Sequence, residues 1–412
     1  MKVERVPFDG DAAASGATLR SLAPAGVSVS GTVSEIIGAV RTRGEQALLE
    51  YVERFDGVRG PLKVEPADLE QAQAELDPAV RAGLEVAIRN VRTVAEAGLV
   101  DDTVVALPEG QTVTVREVPV RRAAIYTPGG RNAYPSTVVM GVVTARAAGV
   151  DEVVVCAPGA HPVILAACAM CGADEVWRMG GAHAIAALAY GTDSVPRVDV
   201  IAGPGSLYVQ EAKRQVSGDV GIDGFAGPSD VLIIAGAGAD PTLVTADLVA
   251  QAEHGTGAVV ALVTDDGALA EDVTGRLTAE PDTAAAVAVV VVGSPREALA
   301  VAEAFAPEHL QLMGAEAEAL AGDVRVAGCV FVGCESGTAF GDYVAGSNHT
   351  LPTGGAARFA SGLSARHFRR RMSTVRIDGA AAALARAAIP IAEAEGFTRH
   401  ADSMRVRENP AG

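Results

Sequence analysis

No apolar run in this sequence reaches the roughly 18 residues that a membrane span requires, and the opening residues MKVERVPFDGDAAAS lack the hydrophobic core of a secretory signal. Basic residues are in the minority: 33 Lys and Arg face 51 Asp and Glu, a formal charge of −18. That balance leaves no basic stripe to neutralise a phosphate backbone, so no nucleic acid and no membrane are expected as partners. Cysteine is sparse too. Cys156, Cys168, Cys171, Cys329 and Cys334 sit in apolar surroundings without the spacing of a disulfide framework, which suits a reducing compartment. A soluble, cytoplasmic protein is the expectation. Cys168-Ala-Met-Cys171 has CxxC spacing, but it lies in an Ala-rich helical stretch with no second pair, and packing is its expected role.

Tandem repeats at a solenoid period and low-complexity linkers are also missing. At 412 residues the chain is too long for one ordinary core, and two α/β domains of roughly 100–200 residues each are expected. The first hundred residues read as helical, with apolar positions at three- and four-residue spacing over Val33–Phe55 and Pro66–Ala97. The rhythm changes at residue 112. Thr112–Arg116 alternates, and then the β-branched runs Ala123–Tyr126, Glu152–Cys156, Glu175–Arg178 and Val198–Ala202 are separated by helical stretches near 137–148, 161–171 and 182–190. A second series places strands at Val231–Ala235, Ala258–Val263, Val287–Val292 and Cys329–Val332, with helices near 240–254, 266–278 and 296–304. This is the βαβ signature of open parallel sheets.

The predicted fold is therefore α/β: two Rossmann-like open domains with a helical N-terminal segment and a small C-terminal tail. Residues 1–125 are assigned to the helical segment contributing to the first α/β domain, and 126–228 to an inserted Rossmann-like domain. Residues 229–363 continue the first α/β domain, and 364–412 form the tail. The joints Thr127-Pro-Gly-Gly130 and Ala226-Gly-Pro-Ser229 bracket the insert as candidate hinges.

The dinucleotide fingerprint GxGxxG is absent. Gly203-Pro-Gly-Ser206 does follow a strand and open a helix, and Gly180-Gly-Ala-His183 repeats the arrangement one strand earlier. Helix-start N–H groups there can hold an anion, the plain alternative being tight turns. Elsewhere, Gln251 and His254 stand at i and i+3 on one helix face, with Asp247 four residues before Gln251. On a buried stripe such a pair must find partners, and a metal satisfies both. Glu308-His309 joins a carboxylate to an imidazole, the natural base for an alcohol proton near pH 7; an exposed loop dipeptide is the alternative. Gly341–Thr353 gathers Asp342, Asn348 and His349 among turn-forming glycines, and Glu395 and His400 recur together near the end. His161 and His367 have no such company.

Six ordered blocks, GPGSLYVQEAKRQV (203–216), VGIDGFAGPSD (220–230), DLVAQAEH (247–254), FAPEHLQ (305–311), GDYVAGSNHTLPTGGAARF (341–359) and EAEGFTRHADSMRVR (393–407), closely resemble the histidinol dehydrogenase family. The likeness extends from about residue 30 to 407. It implies oxidation of an amino alcohol, L-histidinol, through L-histidinal to L-histidine by two hydride transfers to NAD. It implies one Zn²⁺ per subunit held by Gln251, His254, Asp342 and His400, with His309 as base and Glu308 activating water. Ser136, Ser229, His349 and Glu395 correspond to substrate contacts, and Tyr126, His183 and Ser206 to the nucleotide pocket. A homodimer whose C-terminal tail reaches the partner's site is implied as well.

The chain departs from the family's usual residues in having His183 for Gln, Ser206 for Asn, and Gly141 and Thr144 for Asn and Pro. Two other readings compete. A paralogue keeping metal and base could oxidise another small polar alcohol, such as a sulfonated propanediol, although Glu395 at close range would repel a sulfonate. A non-catalytic binding protein on the same scaffold would have no need for a general base beside a metal.

Overall fold

Near-continuous β-branched runs such as Val259–Thr264 and Ala286–Val291 are stable only where helices cover both faces of a sheet. The computed structural model describes residues 1–24, 28–129 and 132–408. Its strands are β1 (Val3–Val6), β2 (Thr103–Ala106), β3 (Thr112–Pro119), β4 (Arg122–Tyr126), β5 (Glu152–Cys156), β6 (Glu175–Trp177), β7 (Val200–Ala202), β8 (Gly221–Ile222), β9 (Asp230–Ala235), β10 (Val259–Thr264), β11 (Ala286–Val291), β12 (His309–Met313), β13 (Cys329–Val332) and β14 (Arg369–Arg376).

Strands β4 to β8 make one parallel sheet, in the order β6-β5-β4-β7-β8. Strands β9 to β13 make a second, in the order β11-β10-β9-β12-β13, with β1 added beyond β11. The two sheets share one winding: the first strand is central, the next two lie to one side and the last two to the other. Each of the eight expected strands in these sheets is present within two residues of its expected ends. The segment His309–Met313, which carries no β-branched residue, is an additional central strand.

Local chemistry sets the helix starts. Asp240 accepts from the Thr242 N–H ahead of the helix Pro241–Ala252. Ser294 accepts from the Glu297 N–H ahead of Pro295–Phe305, and Glu297 in return accepts from the Gly293 N–H. Burial then fixes the sheets between layers, each fully buried Val, Leu or Ile contributing roughly 1.5–3 kcal/mol. The CxxC pair is part of this packing: Cys168 and Cys171 are buried in the helix Pro162–Cys171, and burial raises both thiols.

The assignment of residues 1–125 to the sheet of β9–β13 changes in two ways. Residues 3–6 form an edge strand of that sheet, not part of a helical lead-in, and the helix Ala12–Ser21 packs on Pro295–Phe305. The helices Ser30–Arg43 and Pro78–Ala97 instead bury Val33, Ile37 and Val40, and Leu84 and Val91, against the sheet of β4–β8. A 3.6-residue stripe reports that a helix buries one face; it carries no information on which sheet receives it.

The helix expected near 137–148 contains a π-helical stretch, Val139–Val143. Gly141 there lies against β4, where an added Cβ would stand 2.4 Å from Ile125 Cγ2. Asn348 Nδ2 donates to the Met140 carbonyl at 3.0 Å and to Thr144 Oγ1 at 3.2 Å, occupying polar groups that the wider turn leaves available. Gly141 and Thr144 are core positions in this fold.

A second compact unit comprises Leu99–Pro119 and the residues from Arg369 onward. In it β3 pairs antiparallel with β2 and β14, and the helices Ala381–Ala394 and Thr398–Arg405 follow. The expected tail thus contains a strand from Arg369, paired with the segment whose alternation starts at Thr112, while residues up to Phe368 belong to the first unit. Among the described residues no helix is long and apolar enough to cross a membrane.

Candidate active site

The chain leaves the carboxyl end of β8 and enters the amino end of β9 through residues 223–229. The carboxyl edge of one sheet therefore meets the amino edge of the other, around a cavity of about 400 Å³. From the first sheet come Pro128, after β4, and Pro204 and Gly205, after β7, at the point where the strand order reverses. From the second come Ser229, His254, Glu308 and His309, all at amino ends of strands or just before them.

Asp230, the first residue of β9, is buried and sets the geometry of the next strand's start. Its side chain accepts from the Glu308 N–H at 2.7 Å, its N–H donates to Glu308 Oε2 at 3.0 Å, and its carbonyl accepts from His309 Nδ1 at 3.1 Å. The last contact fixes the tautomer: Nδ1 carries hydrogen, and Nε2 faces Asp342 Oδ1 at 3.7 Å. Far from an exposed dipeptide, Glu308 and His309 are both buried.

Burial disfavours the Glu308 carboxylate and outweighs the attraction of His309, so its pKa rises to about 7. Burial also works against a charged His309, but the Glu308 and Asp342 carboxylates prevail and raise it to about 9. These two carboxylates, 3.6 and 3.7 Å from its ring nitrogens, favour the charged form of the imidazole.

Gln251 is buried, and its Nε2 donates to Ser229 Oγ, which in turn donates to Glu308 Oε2 at 2.5 Å. The amide oxygen accepts from no described residue. His254 is not on the helix face proposed for it. The helix ends at Ala252, and His254 stands in the following turn with its side chain at the cavity. Burial lowers its pKa, which keeps the imidazole neutral. Asp247 serves Gln311, accepting from its Nε2 at 2.8 Å.

Ser136 and His349 also line the cavity. His349 Nδ1 donates to the Asp342 carbonyl at 3.0 Å, and Nε2 lies 3.3 Å from Thr137 Oγ1; burial holds this imidazole below its ordinary pKa.

Both glycine loops donate some of their N–H groups to other parts of the chain. The Gly180 N–H donates to Asp56 at 2.9 Å, the Gly181 N–H to the Tyr126 hydroxyl at 3.0 Å, and the Gly203 N–H to Asp223 at 2.7 Å. At Gly180 a carboxylate of the chain itself thus holds one N–H of the loop, whereas the Gly203 bond lies ahead of the helix start at Leu207. His183, expected at the nucleotide pocket, is buried with Nε2 2.9 Å from the same Asp56. Ser206 is exposed at the start of the helix Leu207–Val216 and makes no side-chain cap.

Glu395 and His400 belong to the second unit, where both are exposed and the His400 ring meets Phe397 edge-on at 5.2 Å. Among the described residues no three His, Cys, Asp or Glu side chains form a metal-holding group. The first unit's donors are Gln251, His254 and Asp342: two oxygens and a nitrogen, a set suited to zinc with one position left open. Sequence reasoning did not single out Asp230, Asp56 or Thr137. Asp230 stood in the quoted Gly-Pro-Ser-Asp block, but an aspartate at a strand start has no distinguishing pattern.

A buried carboxylate and imidazole in a cleft between two wound α/β sheets define an enzyme site built for proton transfer. The histidinol dehydrogenase family model matches residues 23–408. Histidinol dehydrogenases from Parasynechococcus marenigrum and Nocardia farcinica are each 45% identical to the chain, over 92% of it and 91% of the former protein, and over 91% of it and 90% of the latter. The crystal structure of histidinol dehydrogenase from Elizabethkingia anophelis superposes with a TM-score of 0.91 at 28% identity, covering 98% of each chain. This chain belongs to the histidinol dehydrogenase family, oxidoreductases of histidine biosynthesis.

The raised pKa values have a consequence for stability. Glu308 goes from 4.5 to about 7 and His309 from 6.5 to about 9, so the folded state binds more protons than the unfolded one between these limits. The His309 contribution is fully present below pH 6.5 and is lost as pH rises through 9; the Glu308 carboxyl shifts the balance the same way from 4.5 through 7. Urea unfolding of metal-free protein should therefore show wild type losing stability relative to a Glu308→Gln, His309→Asn double variant from pH 5 to pH 9, on the order of 2–4 kcal/mol. A difference that stays flat or grows with pH contradicts this electrostatic account.

Proposed function

We propose that this chain oxidises L-histidinol through L-histidinal to L-histidine in the cytoplasm, as a homodimer using NAD and one zinc ion per subunit. The observation that supports this most directly is the convergence of Ser136, Ser229, His254, Glu308, His309, Asp342 and His349 on one cavity. When bound, NAD accepts the hydride of each oxidation and zinc supplies a Lewis acid that orients the substrate. Gln251, His254 and Asp342 would hold the metal, with His400 as fourth protein ligand from the partner's tail. Glu395 of that tail would meet the substrate's ammonium. Tyr126 and Ser206 would flank the nucleotide, with His183 supporting the loop beneath it through Asp56.

His309 takes the alcohol proton through Nε2, since Nδ1 is committed to the Asp230 carbonyl. Engagement of Asp342 by a dication removes one of the two carboxylates that hold His309 charged, returning the imidazole toward the neutral form a base requires. Glu308 takes the proton of the water that hydrates the aldehyde. Its pKa near 7 lets it accept that proton and release it at neutral pH.

Metal removal tests the donor set. Chelator-treated protein should lose turnover and regain it with Zn²⁺, and Asp342→Ala should bind less than one zinc per chain; full turnover in exhaustively metal-free protein would remove the zinc assignment.

The two bases separate kinetically. His309→Asn should lower oxidation of alcohol and aldehyde alike by roughly 10²–10⁴, whereas Glu308→Gln should mainly impair the aldehyde half, measured by supplying the aldehyde and by single-turnover NADH formation from the alcohol. Equal slowing of both halves by Glu308→Gln would make the pair one coupled unit.

The tail is tested by complementation. An inactive His309→Asn chain mixed with an inactive His400→Ala chain should regain activity in heterodimers. No recovery in confirmed heterodimers would place His400 in its own chain's site.

A further inference from the structure

Arg20 lies in the last turn of the helix Ala12–Ser21, far in sequence from every residue assigned to the chemistry. Its guanidinium nonetheless donates to Asp230 Oδ2 at 2.6 Å, to the Phe305 carbonyl at 2.6 Å and to the Ala306 carbonyl at 3.2 Å. The guanidinium carbon also stands 3.6 Å from the centroid of the Phe305 ring. Asp230 is the residue that contacts Glu308 and His309 together, through its side chain, its N–H and its carbonyl. Ala306 caps the helix Pro295–Phe305 in the left-handed region, at φ 58°, two residues before Glu308. One guanidinium thus ties the aspartate behind both bases to the strained turn in front of them.

Packing brings it there. Gly16 sits one turn before Arg20, and an added Cβ on it would stand 2.7 Å from Ala304 Cβ. The absent side chain lets the two helices approach closely enough for Arg20 to reach the C-terminal carbonyls of Pro295–Phe305, where a cation is also favoured by the helix dipole. Asp230 is 1% exposed. An ionised carboxylate so buried requires a paired cation, and Arg20 is the cation bonded to it.

We propose that Arg20 is a positioning residue for the reaction: it holds Asp230 and the Phe305-Ala306 turn in register, and through them aims the Glu308 carboxylate and the His309 Nε2. The inference rests on the reading of Glu308 and His309 as the two bases, and it predicts an effect on turnover rather than on substrate binding. Arg20 touches neither the cavity lining nor any proposed metal ligand.

The test uses the full-length, zinc-loaded protein. Arg20→Met should lower kcat for histidinol oxidation by about tenfold or more, with KM within about threefold and zinc content unchanged. Arg20→Lys keeps the charge at Asp230 but cannot span both it and the two carbonyls, so its kcat should fall between the two. Should Arg20→Met fail to fold, Arg20→Lys decides, and a wild-type kcat in it overturns the proposal. So does a loss confined to KM. A second arm does not depend on the substrate. In ¹⁵N-histidine-labelled protein the His309 Nδ1–H resonance, identified by its loss in His309→Asn, should be protected in wild type and should shift or broaden in the folded Arg20 variant. An unchanged resonance overturns the clamp even if histidinol is not the substrate; a changed resonance in a protein inert toward histidinol leaves the clamp standing and removes the substrate reading instead.

Discussion

The arrangement of the site depends on the pairing of β9 with β12, and within it on Asp230. Parallel pairing sets His309 opposite Val231, which brings the start of one strand beside the start of the other. Asp230 then makes three hydrogen bonds to the Glu308-His309 dipeptide from its side chain, N–H and carbonyl. Two of these go to backbone or fix a tautomer, so neither base can rotate freely about the strand end. A buried aspartate bought at this cost in desolvation is stable only with its ligands in place, and the burial that raises its own pKa is opposed by Arg20.

The direction of the connection between the sheets explains why the cavity has two unlike walls. Each sheet winds outward from a central strand, β4 in one and β9 in the other. The crossing segment at 223–229 runs from the last strand of the first to the central strand of the second. Carboxyl ends of the first sheet's strands therefore contribute backbone turns, Pro128, Pro204 and Gly205, while the amino ends of the second sheet's strands contribute Glu308 and His309. Gly203 illustrates the tightness on the first wall: at φ 122°, an added Cβ would lie 2.2 Å from the Tyr126 carbonyl oxygen. No other residue type fits there without moving β4 or β7.

Much of this was legible in the residues. The parallel-sheet strands announce themselves because they are buried on both faces, and runs such as Val-Val-Val-Cys156 admit few other placements. Glu308 and His309 were found as an acid beside an imidazole among apolar neighbours, His254, Asp342 and His349 from the polar company they keep, and Ser136 and Ser229 from the family resemblance; the structure brings these together. What escaped has a physical reason in each case. Strand β12 carries Gln311 and no β-branched residue, so its pattern is not that of a strand, and tertiary pairing decides it. His254 was placed on a helix by counting i+3, but the helix ends two residues earlier. Asp56 and Asp223 reach the glycine loops from other segments, and no local pattern shows such a contact. Arg20 works through a contact 210 residues away in sequence.

The charge state of the cavity bears on what it can accept. Burial raises Glu308 to about 7, and the carboxylates beside His309 raise it to about 9, so both groups favour their protonated forms. Binding a positive group reverses this. A cation near Asp342 lowers the proton affinity of His309. An anionic substrate would do the opposite, reinforcing His309 as an imidazolium and removing the base. The same carboxylates therefore discriminate by charge, and they favour a cationic amino alcohol over a sulfonated one.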